Sequence, residues 1–128
     1  MEQGMTEVGV IGDELNGLGM VIKQVLDENL AEPRVRKSTT NLSGTLVVRE
    51  KGTGISVSLF FNRGEIQIQN EAIDTPSTYL IAGFDELSEL SSGQMGPIKA
   101  LITGKIKAGG NLWKLLKMSK ILIRNEER

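Results

Sequence analysis

Ser92-Gly93-Gln94-Met95-Gly96-Pro97-Ile98-Lys99-Ala100-Leu101-Ile102-Thr103-Gly104-Lys105-Ile106-Lys107-Ala108-Gly109-Gly110-Asn111-Leu112 is the stretch on which the reading of the chain turns. Gly93 stops a short helix whose N-cap reads as Asp85, with Phe84 as a hydrophobic staple. Gly96-Pro97 opens another, with proline at the first position and Ile98, Leu101 and Ile102 on its apolar side, and Gly104 ends it. Lys105 to Ala108 reads as a short strand, with Ile106 and Ala108 inward and the lysines outward. Gly109-Gly110 reads as a turn, and Asn111 caps a final helix that runs to about Ile123.

Upstream, the apolar period is two. In Leu42 to Glu50, Leu46 and Val48 face one way and Thr45, Val47 and Arg49 the other. After the turn Lys51-Gly52-Thr53-Gly54, the residues Ile55, Val57, Leu59 and Phe61 alternate with Ser56, Ser58, Phe60 and Asn62. A second turn, Asn62-Arg63-Gly64-Glu65, leads to Ile66 and Ile68 between polar neighbours. Three strands on short turns predict an antiparallel meander with one apolar face. Ser77 to Ala82 predicts a further strand.

Toward the N-terminus the period changes to that of a helix. Leu15, Leu18, Val21, Ile22, Val25, Leu26 and Leu30 share one face of a helix expected from Glu14, with Asp13 as N-cap and Pro33 just beyond its end. Gly17 and Gly19 weaken it by about 1 kcal/mol each relative to alanine, so it needs tertiary packing. Residues 1–13 read as a flexible lead-in, and 14–128 as a single domain.

Composition narrows the function. The 128 residues include no Cys and no His, which removes disulfides, thiolate nucleophiles, the usual general base and the commonest metal ligands. No metal or cofactor is expected, and no enzyme activity. There is no secretory signal and no apolar run long enough to span a bilayer, so the expectation is a cytoplasmic protein. Gly17-Leu18-Gly19 lacks the third glycine and the preceding strand of a dinucleotide fingerprint. Gly104-Lys105 lacks the remainder of a phosphate-binding loop. Asp85, Glu86 and Glu89 read as first-turn helix carboxylates.

Charge is unevenly spread. Residues 97–128 carry eight basic and two acidic side chains, a net +6, whereas the preceding 96 carry a net −7. Such a basic end suits anionic partners. Stacking aromatics are scarce, so a nucleic-acid partner is not expected. On the final helix Leu112, Leu115, Leu116, Ser119, Leu122 and Ile123 share a face, opposite Lys114, Lys117 and Lys120. Trp113, Met118 and Ile121 fall outside that stripe, which makes the helix apolar over more than a core-facing strip. Packing under loops, a ligand cavity, and a membrane or partner surface each accommodate the excess.

The segment from Ser92 to Leu112 closely resembles the signature of the type-2 sterol carrier protein domain: a Gly, a Pro a few residues on, an Ala, then Gly-Lys-aliphatic-Lys-x-x-Gly-Asn opening the last helix. Thr78 to Leu90 looks like that family's fourth strand and following helix, and the hairpins from Gly44 to Gln69 match in length and alternation. Gly96 and Ala108 stand where the family usually has Asn or Asp and a larger aliphatic. The resemblance implies an α+β fold in which helices cover one face of a curved, five-stranded, mainly antiparallel sheet, with a hydrophobic tunnel between the layers.

It also implies binding or transfer of fatty acids, acyl-CoA, sterols or phospholipids. The strands are expected to line the tunnel with Leu46, Val48, Val57, Leu59, Phe61, Ile66 and Ile68. From the short helices come Leu87, Leu90, Ile98, Leu101 and Ile102, and from the last helix Leu112, Leu115, Leu116 and Met118. Trp113, Lys114, Lys117 and Lys120 are expected to meet an anionic membrane or headgroup, with the last helix as a gate hinged at Gly109-Gly110. An accessory subunit that presents a lipid or prenyl-type substrate to an enzyme, and a ligand-free interaction or homodimer domain, are the alternatives.

Overall fold

In the computed structural model, which describes residues 8–12 and 14–123, strand alternation sets up the centre of the molecule. β2 (Ser43–Glu50), β3 (Ser56–Asn62) and β4 (Glu65–Asn70) form the expected antiparallel meander. Leu46 lies opposite Leu59 and Val48 opposite Val57. Leu59 in turn lies opposite Ile68, and Phe61 opposite Ile66. All seven are buried on one face. The β3–β4 hairpin closes through Arg63 and Gly64, both at positive φ (49° and 101°), as a two-residue turn matched to the strand twist requires.

The sheet has six strands and is mixed, not five and mainly antiparallel; its order is β1-β4-β3-β2-β5-β6. β5 (Thr78–Ala82) lies parallel to β2, with Val48 opposite Leu80. β1 (Val8–Ile11), inside the stretch read as a lead-in, lies parallel to β4, with Val8 opposite Ile66. Alternation reports which face a residue takes; it carries no information on strand direction or neighbour. Here the connection after β4 crosses the outer face of the sheet to the free edge of β2. Ser58 holds it: its hydroxyl donates to the Glu71 carbonyl at 2.8 Å and accepts from Ile73 N–H at 3.0 Å. The start of β5 is clasped to β2 by two 2.8 Å bonds, Thr45 N–H to Ser77 Oγ and Ser77 N–H to Thr45 Oγ1.

Helix α1 (Gly17–Leu30) begins later than the sequence predicts. Its N-cap is Asn16, whose Oδ1 accepts Gly19 N–H at 2.8 Å and whose Nδ2 donates to the Ser56 carbonyl at 3.1 Å. Asp13, the expected cap, lies outside the described residues. Gly19 earns its place by close approach, since a Cβ there would sit 3.3 Å from Val57 Cγ1. Pro33 opens a further helix, α2 (Pro33–Ser38), followed by a 3-10 turn, Thr39–Asn41. Leu26 and Leu30 pack with the meander and with Met118 and Ile121 of α5 (Leu112–Leu122) into the main core.

α3 (Phe84–Ser92) takes Gly83, not Asp85, as its N-cap and ends at Gly93 in a left-handed conformation; α4 (Pro97–Ile102) follows. Ala82, Leu90, Ala100 and Ile106 form a second, smaller core beneath them. β6 (Lys107–Gly110) starts two residues later than expected. Gly109 and Gly110 pair with Tyr79 and Thr78 instead of forming a turn, so the hinge expected there is part of the sheet. Gly109 admits the Tyr79 ring, 2.5 Å from where a Cβ would stand, and Gly110 takes φ +83°. Asn111 caps α5 as expected, accepting Lys114 N–H at 3.1 Å. At the other end, Asn29 Nδ2 donates to the carbonyls of Ile121 (2.6 Å) and Ile123 (3.1 Å), tying α5 to α1.

Candidate functional site

α1 rests directly on β3 and β4, and the sheet is solid there. α5 lies over β2, β5 and β6, and the short helices α3 and α4 complete the cover beside it. A cavity of about 410 Å³ lies between these helices and the sheet. That is within the range of about 300–1,000 Å³ usual for small-molecule sites. Val48 and Leu80, neighbours in the sheet, and Ile106 form its floor. Leu18, Val21, Ile22 and Val25 of α1 make one wall. Leu115, Leu116, Ser119 and Leu122 of α5, continued by Ile123, make another. Leu87 and Leu90 of α3, with Pro97 and Leu101 of α4, close it. Val21, Ile55 and Phe84 border the space and are also exposed (51%, 39% and 66%), so they form its rim.

The residues expected to line a tunnel therefore divide. Val48, Leu87, Leu90, Leu101, Leu115 and Leu116 border the cavity. Leu46, Val57, Leu59, Phe61, Ile66, Ile68 and Met118 are buried in the main core and away from it, because α1 and α5 cover their part of the sheet without a gap. Ile98, Ile102 and Leu112 point to solvent, 57%, 79% and 48% exposed: α4 turns Ala100 inward in place of Ile98 and Ile102, and Leu112 is the first residue of α5. Trp113 is 76% exposed, and Lys117 and Lys120 are exposed beside it. Lys114 departs from that group: it is half-buried, its Nζ 3.3 Å from where a Cβ on Gly44 would stand.

The reading of the sequence left out the α1 wall, Leu80, Ile106, the rim and one acid. The α1 residues already formed an apolar stripe; what was missing was which layer they faced. The acid was legible by alternation, since Glu50 shares its face with Leu46 and Val48. Glu50 is 9% exposed and borders the cavity. Its Oε1 accepts the Thr53 N–H and the Thr53 hydroxyl, both at 2.7 Å, and its Oε2 accepts Gly52 N–H at 3.0 Å. The N–H of Phe84, first residue of α3, also favours its charged form, the smallest of these influences. The Thr53 hydroxyl first, then the Gly52 and Thr53 N–H groups, hold this carboxyl below its ordinary value of 4.5 against the opposing effect of burial. Among the described residues, no Lys or Arg borders the cavity.

Among the described residues, no group of three or more His, Cys, Asp and Glu is placed to hold a metal ion, and no helix is long and apolar enough to cross a membrane. The remaining polar groups on the cavity wall are the hydroxyls of Thr53, Ser88, Ser91 and Ser119. What the arrangement offers a ligand is thus apolar contact over most of its surface, with an anion at one edge.

Similar architectures occur in solved structures. A UbiJ-SCP2 ubiquinone synthesis protein superimposes with a TM-score of 0.63 at 18% identity, covering 83% of this chain and 85% of its own. The palmitated SCP2L2 of Aedes aegypti gives 0.63 at 16% identity, covering 87% and 98%. Apo sterol carrier protein 2 of Yarrowia lipolytica gives 0.57 at 20% identity, covering 85% and 91%. No curated protein matches the sequence significantly. Residues 22–123 match the SCP-2 sterol transfer family, a span that takes in the meander, most of the cavity wall and all of α5. With that match over most of its length, the chain belongs to the SCP-2 sterol transfer family.

Proposed function

We propose that this protein binds and transfers lipid without catalysing a reaction on it, enclosing the apolar part of its ligand in the gap between sheet and helices. It works in the cytoplasm and meets membranes transiently. The observation that carries the reading is the apolar cavity of about 410 Å³, walled by α1, α3, α4 and α5 over β2 and β5. Burial of about twelve methylenes there contributes roughly 10 kcal/mol. Immobilisation costs about 4–15 kcal/mol. The net spans weak to micromolar binding, which suits a carrier that must release its load. Methylenes carry little shape information, so the walls themselves select weakly.

The test is organic extraction of the protein purified from its own host, with mass spectrometry of the extract. A bound lipid at a stoichiometry well above that of a surface-washed control is the expected result. Native mass spectra that show bare protein alone, under conditions that retain lipid on a known carrier, would defeat the reading.

A second reading is favoured by the likeness to the UbiJ-SCP2 ubiquinone synthesis protein. In it the same cavity presents a lipid or prenyl-type substrate to an enzyme, and the chain acts as an accessory subunit. Co-purification with a lipid-modifying enzyme, lost when the cavity is filled by Leu116→Trp, distinguishes this from a free carrier.

A further inference from the structure

Among the described residues, the cavity wall is apolar except for a few hydroxyls and one ionisable group, Glu50. Three donors already address that carboxylate: Gly52 N–H, Thr53 N–H and the Thr53 hydroxyl. A carboxylate has about four lone-pair sites, so these donors settle it as an anion without help from a ligand. Its position next to the rim residues Ile55 and Phe84 puts a fixed negative charge beside the opening. An anionic headgroup entering first would lose its water with no Lys or Arg on the wall to replace it. One left at the rim, tail inward, would sit alongside Glu50. Both orientations are penalised, and an uncharged polar end escapes both penalties.

We propose that Glu50 makes this cavity selective for lipids whose polar end is uncharged, such as long-chain alcohols, over those ending in a carboxylate or phosphate. The proposal rests on the lipid-binding reading above and narrows its ligand class. It also separates this chain from its structural neighbour from Aedes aegypti, which is described as palmitated. Glu50 acts here as a specificity-determining residue by charge and not by a directed bond.

The experiment uses the full chain and the uncharged dye Nile red as the cavity probe, displaced by hexadecanol or by palmitate at about pH 8, where palmitate is ionised. Because hexadecanol is intrinsically the more apolar, the ratio of the two displacement midpoints is compared across variants. E50Q is expected to narrow that ratio by about tenfold, the scale of one like-charge interaction at intermediate effective dielectric. I55K, which places a cation on the exposed rim, is expected to narrow it further by favouring palmitate, and it carries the test if E50Q unfolds. A ratio unchanged in both variants, or palmitate displacing the dye from the unmodified protein as well as hexadecanol does, overturns the proposal. Failure of Nile red to bind the unmodified protein at all overturns the cavity reading beneath it, and the selectivity with it.

Discussion

Glu50 carries its carboxylate on the apolar face of the sheet, and the cost is met locally. Each oxygen has its own N–H or hydroxyl donors from the following turn. A buried carboxylate so solvated by fixed dipoles is easier to ionise in the folded chain than in the unfolded one. Its pKa is depressed on folding, so its contribution to stability is present above the unfolded value of about 4.5 and lost as pH falls through the lower folded value. Urea midpoints measured between about pH 3 and pH 7 are therefore expected to fall on acidification more steeply for the native sequence than for Glu50→Gln, with the two curves converging at the acid end. Parallel curves would show that the carboxylate's hydrogen bonds do not discriminate between its charged and neutral forms.

At the scale of elements, α1 and α5 each have two duties on different sides of one helix. Leu26 on α1 is fully buried against the meander, whereas Val21, five residues earlier, is half in water at the rim. On α5, Met118 and Ile121 are buried in the core, Leu116, Ser119 and Leu122 border the cavity, and Leu115 does both. Removing atoms from a packed wall creates a void and loses contacts on all sides; removing them from the wall of an existing void loses fewer. Leu26→Ala is accordingly expected to destabilise by about 2–5 kcal/mol, and Leu116→Ala by less than about 1.5 kcal/mol, in chemical denaturation. If the two costs are equal, Leu116 is packed and the gap beside it is not open in solution.

For the whole molecule, two lysines of the basic end share one exposed stripe with Trp113. Trp113, Lys117 and Lys120 lie along the outer side of α5, and Lys120 follows the cavity residue Leu116 by one helical turn. A membrane bound by this stripe would lie beside a cavity wall. Each lysine near an anionic surface is worth about 1 kcal/mol, so Lys117→Glu with Lys120→Glu is expected to weaken co-sedimentation with phosphatidylserine vesicles by at least tenfold, and added salt to do the same. Lys114→Glu is expected to do less to binding, because that side chain is turned in toward Gly44. Equal effects at all three lysines, or binding indifferent to salt, would remove α5 as the docking element.

The sequence by itself determined the meander and its apolar face, the cap at Asn111, the helix stops at Gly93 and Gly104, and the family. These are local matters, decided by period, by φ at glycine and by hydrogen bonds spanning three or four residues. Tertiary structure alone decided that β5 runs parallel to β2, that Val8–Ile11 extends the sheet, and that the gap opens over β2 and β5 and not over β3 and β4. Leu59 and Val48 are alike in sequence, apolar residues at inward strand positions. One meets packed core alone and the other also borders the space that α1, α3, α4 and α5 enclose, and the difference is set by where those helices lie.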